Sequence, residues 1–237
     1  MPGSPLGNPA WTALDGPHSA FAERKGRVLR YPVEISPFLA VPDDPDPAVW
    51  QDIADLVAPA TTATVVGGVD LPLPAGWTLF AETPAVQMKA EAHPVPPEAA
   101  SGSADPANEV TRLTVDDVPE MLDLAARTRP GPFRPRTIEL GTYLGIHRDG
   151  TLAAMAGERL HPPGWTEISA VCTDPAFQGQ GLAARLVREV MAEIRTRGER
   201  PFLHAATANV GAIRLYERLG FRFSRAVRFS TYRVPEG

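Results

Sequence analysis

The stretch Thr166-Glu-Ile-Ser-Ala-Val-Cys-Thr-Asp-Pro-Ala-Phe-Gln178-Gly179-Gln180-Gly181-Leu182-Ala183 changes character twice. Thr166 to Thr173 is rich in β-branched and small apolar residues and reads as a strand. Asp174 to Gly181 carries Pro and two Gly and reads as a turn. From Leu182 the period lengthens: Leu182, Leu186, Val190 and Ile194 recur every fourth residue, with Ala183, Val187 and Met191 beside them. Arg185, Arg188, Glu189, Glu193, Arg195 and Arg197 take the other side. That is a helix laid on a sheet, with Gly198 placed to end it. The first turn of such a helix has unpaired N–H groups and the positive end of the helix dipole. Gly179 and Gly181 carry no Cβ, so a phosphate can reach those donors. An ordinary strand-to-helix loop that uses glycine for backbone freedom has the same local pattern.

Further elements lie on both sides of this unit. Glu109 to Thr114 alternates like a strand, and Thr114 is a candidate N-cap for a helix over Val115–Arg127, stopped by Pro130-Gly-Pro-Phe133. Two strands, Thr142 to Arg148 and Thr151 to His161, meet at Asp149-Gly150, a strong hairpin signal. After the long helix come a strand at Phe202 to Ala206, a helix from about Val210 to Leu219, and one or two strands over Phe221 to Val234. The order β-α-β-β-β-α-β-α-β predicts an α+β fold with a mixed, mostly antiparallel sheet and flanking helices.

The N-terminal part is less periodic. It suggests a weak helix over Trp11–Lys25 and an extended run over Arg27–Pro37. A helix follows over Pro47–Val57 with Asp46 as its N-cap, then a strand over Thr61–Val66 and a pair of short strands over Trp77–Ala92. His93 to Asn108 (HPVPPEAASGSADPAN) is Pro/Ala/Ser-rich without periodicity and reads as a linker. The expected division is therefore residues 1–92 as a smaller α+β domain without a catalytic constellation, 93–108 as linker, and 109–237 as the functional domain.

With 237 residues, 43% hydrophobic and 22% charged, the chain has the composition of a globular protein with a sizeable core. No apolar run approaches the ~20 residues of a membrane span, and no basic-then-apolar leader opens the chain. The single Cys172 has no partner for an internal disulfide, in keeping with a cytoplasmic setting. Residues 1–107 hold 13 acids against five bases, and the remainder 15 against 18, so the basic excess lies with the glycine turn. It suits an anionic cofactor, or it simply solvates helix faces. No basic run interleaved with aromatics suggests nucleic acid. The expected partners therefore exclude nucleic acid and membrane, and the expected assembly is a monomer or homodimer.

Gln178-x-x-Gly181-x-Ala183, after a strand and opening a helix, resembles the Arg/Gln-x-x-Gly-x-Gly/Ala signature of the GNAT superfamily of N-acyltransferases. Asn209-Val-Gly-Ala212-Ile-Arg-Leu-Tyr216-Glu-Arg-Leu-Gly220-Phe221 resembles the later motif of the same family, Asn-x-x-Ala-x-x-x-Tyr-x-x-x-Gly-Phe. The resemblance spans residues 109–234. A degenerate N-terminal half before a complete GNAT domain is similar to glycine N-acyltransferase-like members. The resemblance implies acetyl-coenzyme A as co-substrate, no metal, and a primary amine of a small molecule or amino acid as acceptor, attacked directly in a ternary complex. The alternatives are a protein or peptide N-acetyltransferase and a non-catalytic coenzyme A-binding sensor.

It also implies roles. Backbone groups of Val171, Cys172 and Thr173 would pair with the pantetheine amides. The N–H groups of Gln178, Gly179, Gln180, Gly181, Leu182 and Ala183 would hold the pyrophosphate, and Asn209, Ala212 and Tyr216 would lie beside the cofactor thiol. Tyr216 is the expected acid, since a phenol beside the sulfur can donate as negative charge develops. At helical spacing from Ala212 and Leu219 it also reads as a core aromatic, and the motif match favours the functional role. Glu167 is the expected base, or else a solvent-facing strand residue. Strict alternation would put Glu167, Ser169 and Val171 on one face and Ile168, Ala170 and Cys172 on the other. His204 is a second candidate base, or a satisfied core histidine. Glu158-Arg159 and Phe133 fall in regions that line the acceptor side in the family.

Overall fold

The structure is a computed structural model that describes residues 4–91 and 109–236. Its strands are β1 Glu23–Lys25, β2 Val28–Arg30, β3 Phe38–Ala40, β4 Thr62–Val66, β5 Thr78–Ala90, β6 Thr111–Arg112, β7 Tyr143–Arg148, β8 Thr151–Glu158, β9 Trp165–Thr173, β10 Arg200–Ala206 and β11 Phe221–Arg233. The helices are α1 Pro9–Leu14, α2 Val49–Leu56, α3 Val118–Thr128, α4 Leu182–Thr196 and α5 Val210–Arg218. All eleven strands join one sheet in the order β1-β2-β3-β4-β11-β5-β10-β9-β8-β7-β6. Only β3–β4 and β9–β10 pair in parallel.

The C-terminal elements follow the sequence pattern closely. Thr114 and Asp117 form a reciprocal capping box ahead of α3. Asp149 and Gly150 both take positive φ in the β7–β8 turn, as a tight hairpin requires. The stripe on α4 buries Leu182, Leu186, Val187, Val190, Met191 and Ile194 against β7–β10. The predicted strand at Glu109–Thr114 shortens to Thr111–Arg112, and Phe221–Val234 forms one long strand.

Several expectations for the N-terminal half change. The helix expected over Trp11–Lys25 ends at Leu14, and Glu23–Lys25 is strand β1. Trp77–Ala92 holds one 13-residue strand, β5, in place of two short ones. Asp46 does not cap from the N-cap position, which is Ala48; its Oδ1 instead accepts from Ala48 N at 2.8 Å. The sheet also runs through both halves: β5, from before the 93–108 segment, lies between β10 and β11 from after it. The physical reason is edge pairing. Met88, buried on β5, packs in the same cluster as Leu203 of β10 and Phe221 of β11, and an unpaired edge there would leave backbone groups without partners. The segment 93–108 expected as linker lies outside the described residues, apart from its surroundings.

Helices α4 and α5 cover one face of the sheet. Helix α3 covers the other face over Met155, Ala170 and Cys172. On that second face α1, Tyr31, Ile35 and Phe38 pack on Leu140, Leu160, Trp165 and Phe202. Helix α2 packs separately, with Trp50 against Trp77 and Tyr232.

Candidate active site

Strands β9 and β10 pair from Trp165↔Arg200 to Ile168↔Leu203 and no further, although β9 runs on to Thr173 and β10 to Ala206. Each stays hydrogen-bonded on its outer side: Cys172 and Thr173 to β8, His204 to Ala206 to β5. The two strands therefore separate into a slot whose walls carry unpaired backbone groups.

A bulge shapes the β9 wall. Ser169 and Cys172 face Gly157 and Met155, three steps on β9 against two on β8, and Ala170 takes φ 53°. This corrects the strict alternation expected from sequence. Val171 packs with Ile168 toward α4, whereas Ala170 and Cys172 turn under α3 with Met121 and Leu124. One extra residue reverses the phase of every side chain after it. A non-glycine residue at positive φ within a strand is what marks the spot.

At the slot's end, Asp174 caps the following turn, its Oδ1 accepting from Ala176 N at 2.8 Å. It also pairs with Arg127, which ties the last turn of α3 to the start of this loop. Gln178 donates to Thr173 O at 3.4 Å. Gly179 and Gly181 sit at φ 79° and 77° with open space where a Cβ would be. Helix α4 has no side-chain cap, and its first bond runs from Arg185 N to Gly181 O at 3.1 Å. Gln178 to Gly181 are exposed, and the uncapped first turn of α4 follows them, so this helix start can receive an anion with the dipole of a 15-residue helix behind it. The residues present fit a pyrophosphate.

Helix α5 brings the second motif to the same slot. Asn209 is its N-cap, with Oδ1 accepting from Ala212 N at 3.1 Å, and Ala212 packs at the edge of the α4 cluster. Tyr216 is 7% exposed, with its ring edge-on to Phe221. Burial pushes its hydroxyl up to about 12, Cys172 on β9 adds to the rise, and no hydrogen bond offsets it. The phenol therefore holds its proton at neutral pH. Cys172 is pushed up to about 11 by burial, so it stays a thiol.

Glu167 lies below the slot and is fully buried. Arg159 donates to it twice, Nε to Oε2 at 2.9 Å and Nη2 to Oε1 at 2.6 Å, and His204 Nδ1 lies 2.7 Å from Oε1. Burial by itself would raise its pKa, but Arg159 and then His204 outweigh that and bring it down to about 2. Arg159 and His204 were legible as candidates, but nothing in the sequence pattern joined them to Glu167. Glu158 also turns inward, to the α4 face, where it pairs with Arg197 at 2.8 Å and accepts from Thr142 N at 3.2 Å. Phe133 packs edge-on to Tyr143 at 5.6 Å. At the surface, Asp117, Glu120 and His147 bring three potential ligand atoms within 4.8 Å. Two of these groups already serve the backbone, Asp117 at Thr114 N and Glu120 at Leu152 N.

A mixed sheet with a parallel pair splayed over a glycine-rich helix start, and a buried tyrosine from the next helix near Cys172 of β9, defines a GNAT-type acyltransferase fold. Residues 143–234 match the family model described as FR47-like protein. A crystal structure of a putative GNAT-family acetyltransferase from Novosphingobium aromaticivorans is similar over 99% of this chain and 100% of its own, at 38% identity and a TM-score of 0.85. The chain belongs to the GNAT superfamily. It is also similar to the N-alpha-acetyltransferase RimI of Mycobacterium tuberculosis, 39% identical over 83 residues, 34% of this chain and 51% of that one. Similarity to a mycothiol acetyltransferase of Saccharopolyspora erythraea is 31% over 109 residues, 45% of this chain and 35% of the relative. The chain spans about half or less of the length of these curated relatives. No helix among the described residues is long and apolar enough to cross a membrane.

Proposed function

We propose that this protein transfers an acetyl group from acetyl-coenzyme A to a primary amine of a small molecule or amino acid, in the cytoplasm, by direct attack within a ternary complex. The observation that carries the reading is the slot itself: β9 and β10 part after Ile168/Leu203, with the uncapped start of α4 at its end and Tyr216 close enough to Cys172 of β9 to feel its charge.

Amides from Gln178 to Ala183 would hold the pyrophosphate, and backbone groups of Val171, Cys172 and Thr173 the pantetheine arm. Asn209, with one side-chain oxygen used as a cap, keeps its amide N–H groups for the thiol end, and Ala212 leaves room beside it. The co-substrate supplies an activated acetyl thioester. Tyr216, protonated at neutral pH, donates toward the departing sulfur as the amine nitrogen bonds to the carbonyl carbon and the C–S bond breaks; the proton that the nitrogen then sheds restores the phenol, leaving the amide and the free thiol. We assign Glu167 no proton-accepting part. A carboxylate at about 2 is weaker than an α-amine near 8 by ~6 pKa units, or about 8 kcal/mol. The acceptor then enters as the free amine, and its own pKa sets the acid limb of the rate profile.

A small acceptor is supported by the packing on the α3 side. There the N-terminal half covers Trp165 and Phe202, and the 134–140 segment is fastened to it by Arg136 N to Glu34 O at 2.9 Å and Thr137 Oγ1 to Ile35 O at 2.7 Å. The similarity to an N-alpha-acetyltransferase favours a second reading, acetylation of a peptide α-amine. The test is calorimetric titration with acetyl-coenzyme A, followed by thiol release across free amines, amino acids and peptides. Tyr216→Phe is expected to lower kcat about 100-fold. Absence of acetyl-coenzyme A binding, or full activity of the phenylalanine variant at every pH, would sink the proposal.

A further inference from the structure

The ladder between β9 and β10 stops at Ile168/Leu203. At that height, on the α3 side of the sheet, side chains from three adjacent strands and from the residue just past a fourth form an unbroken row. Arg159, just past β8, grips Glu167 of β9 at 2.9 and 2.6 Å. His204 of β10 lies 2.7 Å from Glu167 through Nδ1. Gln87 of β5, the register partner of His204, lies 3.3 Å from its Nε2 and donates to Leu6 O at 3.1 Å. A carboxylate only accepts, so His204 donates to Glu167 through Nδ1, and the Gln87 amide closes the row at Nε2. Glu167 and Gln87 are at most 1% exposed and the His204 side chain 2%. Apolar rings seal the row: Phe38 lies under the Arg159 guanidinium at 4.9 Å, and Phe202 and Phe229 stand edge-on to His204, each at 5.6 Å.

Stability alone does not call for such a row, because well-packed apolar side chains of similar volume hold a core as well or better than buried ion pairs. What directional bonds add is fixed spacing. Below the row, backbone bonds hold β9 and β10 one strand spacing apart, about 4.8 Å. Above it no β9–β10 pairing continues among the described residues. The Glu167–His204 bond spans that gap at its apex, and Gln87 braces β10 from behind.

We propose that the Arg159–Glu167–His204–Gln87 row is a positioning device that sets how far β9 and β10 open, and so where the thioester carbonyl lies relative to Tyr216. The N-terminal half then serves the site directly, through Gln87, the Leu6 carbonyl and Phe38. This inference rests on the acetyltransferase reading.

The test uses the full chain with four variants. Gln87→Met keeps volume and removes the brace. His204→Leu removes the bridge, and His204→Asn keeps an amide N–H where Nδ1 stands. Trp50→Phe, in the separate α2 cluster, is the control for general loss of stability. A misplacement of about 1 Å costs up to ~100-fold, so kcat should fall tenfold or more in Gln87→Met and His204→Leu. The calorimetric Kd for acetyl-coenzyme A should change less than threefold, because the 178–183 loop is untouched. His204→Asn should recover most of kcat. The proposal is overturned if Gln87→Met and His204→Leu keep the kcat of Trp50→Phe, or if Asn rescues no better than Leu. Wild-type protein that binds no acetyl-coenzyme A overturns the parent reading and this one together. Wild-type turnover with indifferent row variants overturns this one alone.

Discussion

Replacing Arg159 by Met should be among the most destabilising single changes in this chain, and mostly because of what it leaves behind. The side chain fits the same volume over Phe38, so lost packing is small. Glu167 remains, fully buried, having lost both bonds to the guanidinium and keeping only His204. An uncompensated buried charge of this kind costs about 3–5 kcal/mol. The wild-type depression of Glu167 from 4.5 to about 2 gives a similar figure, about 3 kcal/mol by linkage. Unfolding entropy for 237 residues is about 0.5 kcal/mol per degree, so Tm should fall by about 6–10 °C. The pH dependence has a defined sign. A carboxylate whose folded pKa is depressed stabilises fully above 4.5, and that contribution fades as pH falls from 4.5 toward 2. In the Met variant burial favours the protonated acid instead. The gap between wild type and variant is therefore widest at neutral pH and narrows toward pH 4. Adding Glu167→Gln removes the stranded charge while its carbonyl still accepts from His204, and should return about 2 kcal/mol or more. Urea unfolding followed by far-ultraviolet circular dichroism at pH 7 and pH 4.5 measures all of this. A loss under 1 kcal/mol, a gap independent of pH, or a double variant no better than the single would refute the reasoning.

Gly181→Ala should lower stability to urea by about 1–2 kcal/mol, since φ 77° is strained for an L residue; open space around the position means that a clash cannot be the cause, and an unchanged unfolding midpoint would contradict this. His18 is buried against His161 and bonded to Tyr31, and burial first, then His161, lower its pKa to about 3. Its contribution to stability is complete above 6.5 and is lost as pH falls toward 3, so His18→Phe should flatten the acid limb of the stability profile; an unchanged limb would contradict this. Cys172, with its thiol pushed up to about 11, should resist a disulfide reagent at pH 7.5 until the protein unfolds, and stoichiometric labelling of the native protein within minutes would show otherwise.

Wherever local periodicity and backbone chemistry suffice, the sequence was readable. The α4 stripe, the Thr114 cap, the Asp149-Gly150 turn and the positive-φ glycines all depend on neighbours within a few residues, and each stands where the pattern put it. The division at 93–108 marked a change in composition, but composition says nothing about pairing, and β5 crossed it to fill the place between β10 and β11. The bulge at Ala170 was invisible because one inserted residue leaves no mark on an apolar strand.

The proposed cofactor side was legible in the chain itself: a glycine turn at a helix start, and Asn209 and Tyr216 on the next helix, are local features with local physics. The rest was decided only when strands distant in sequence came together. Glu167 looked like an accessible base. Tertiary packing closed it between Arg159 and His204 and brought its pKa down to about 2, because a buried carboxylate takes its properties from partners that the sequence lists without placing.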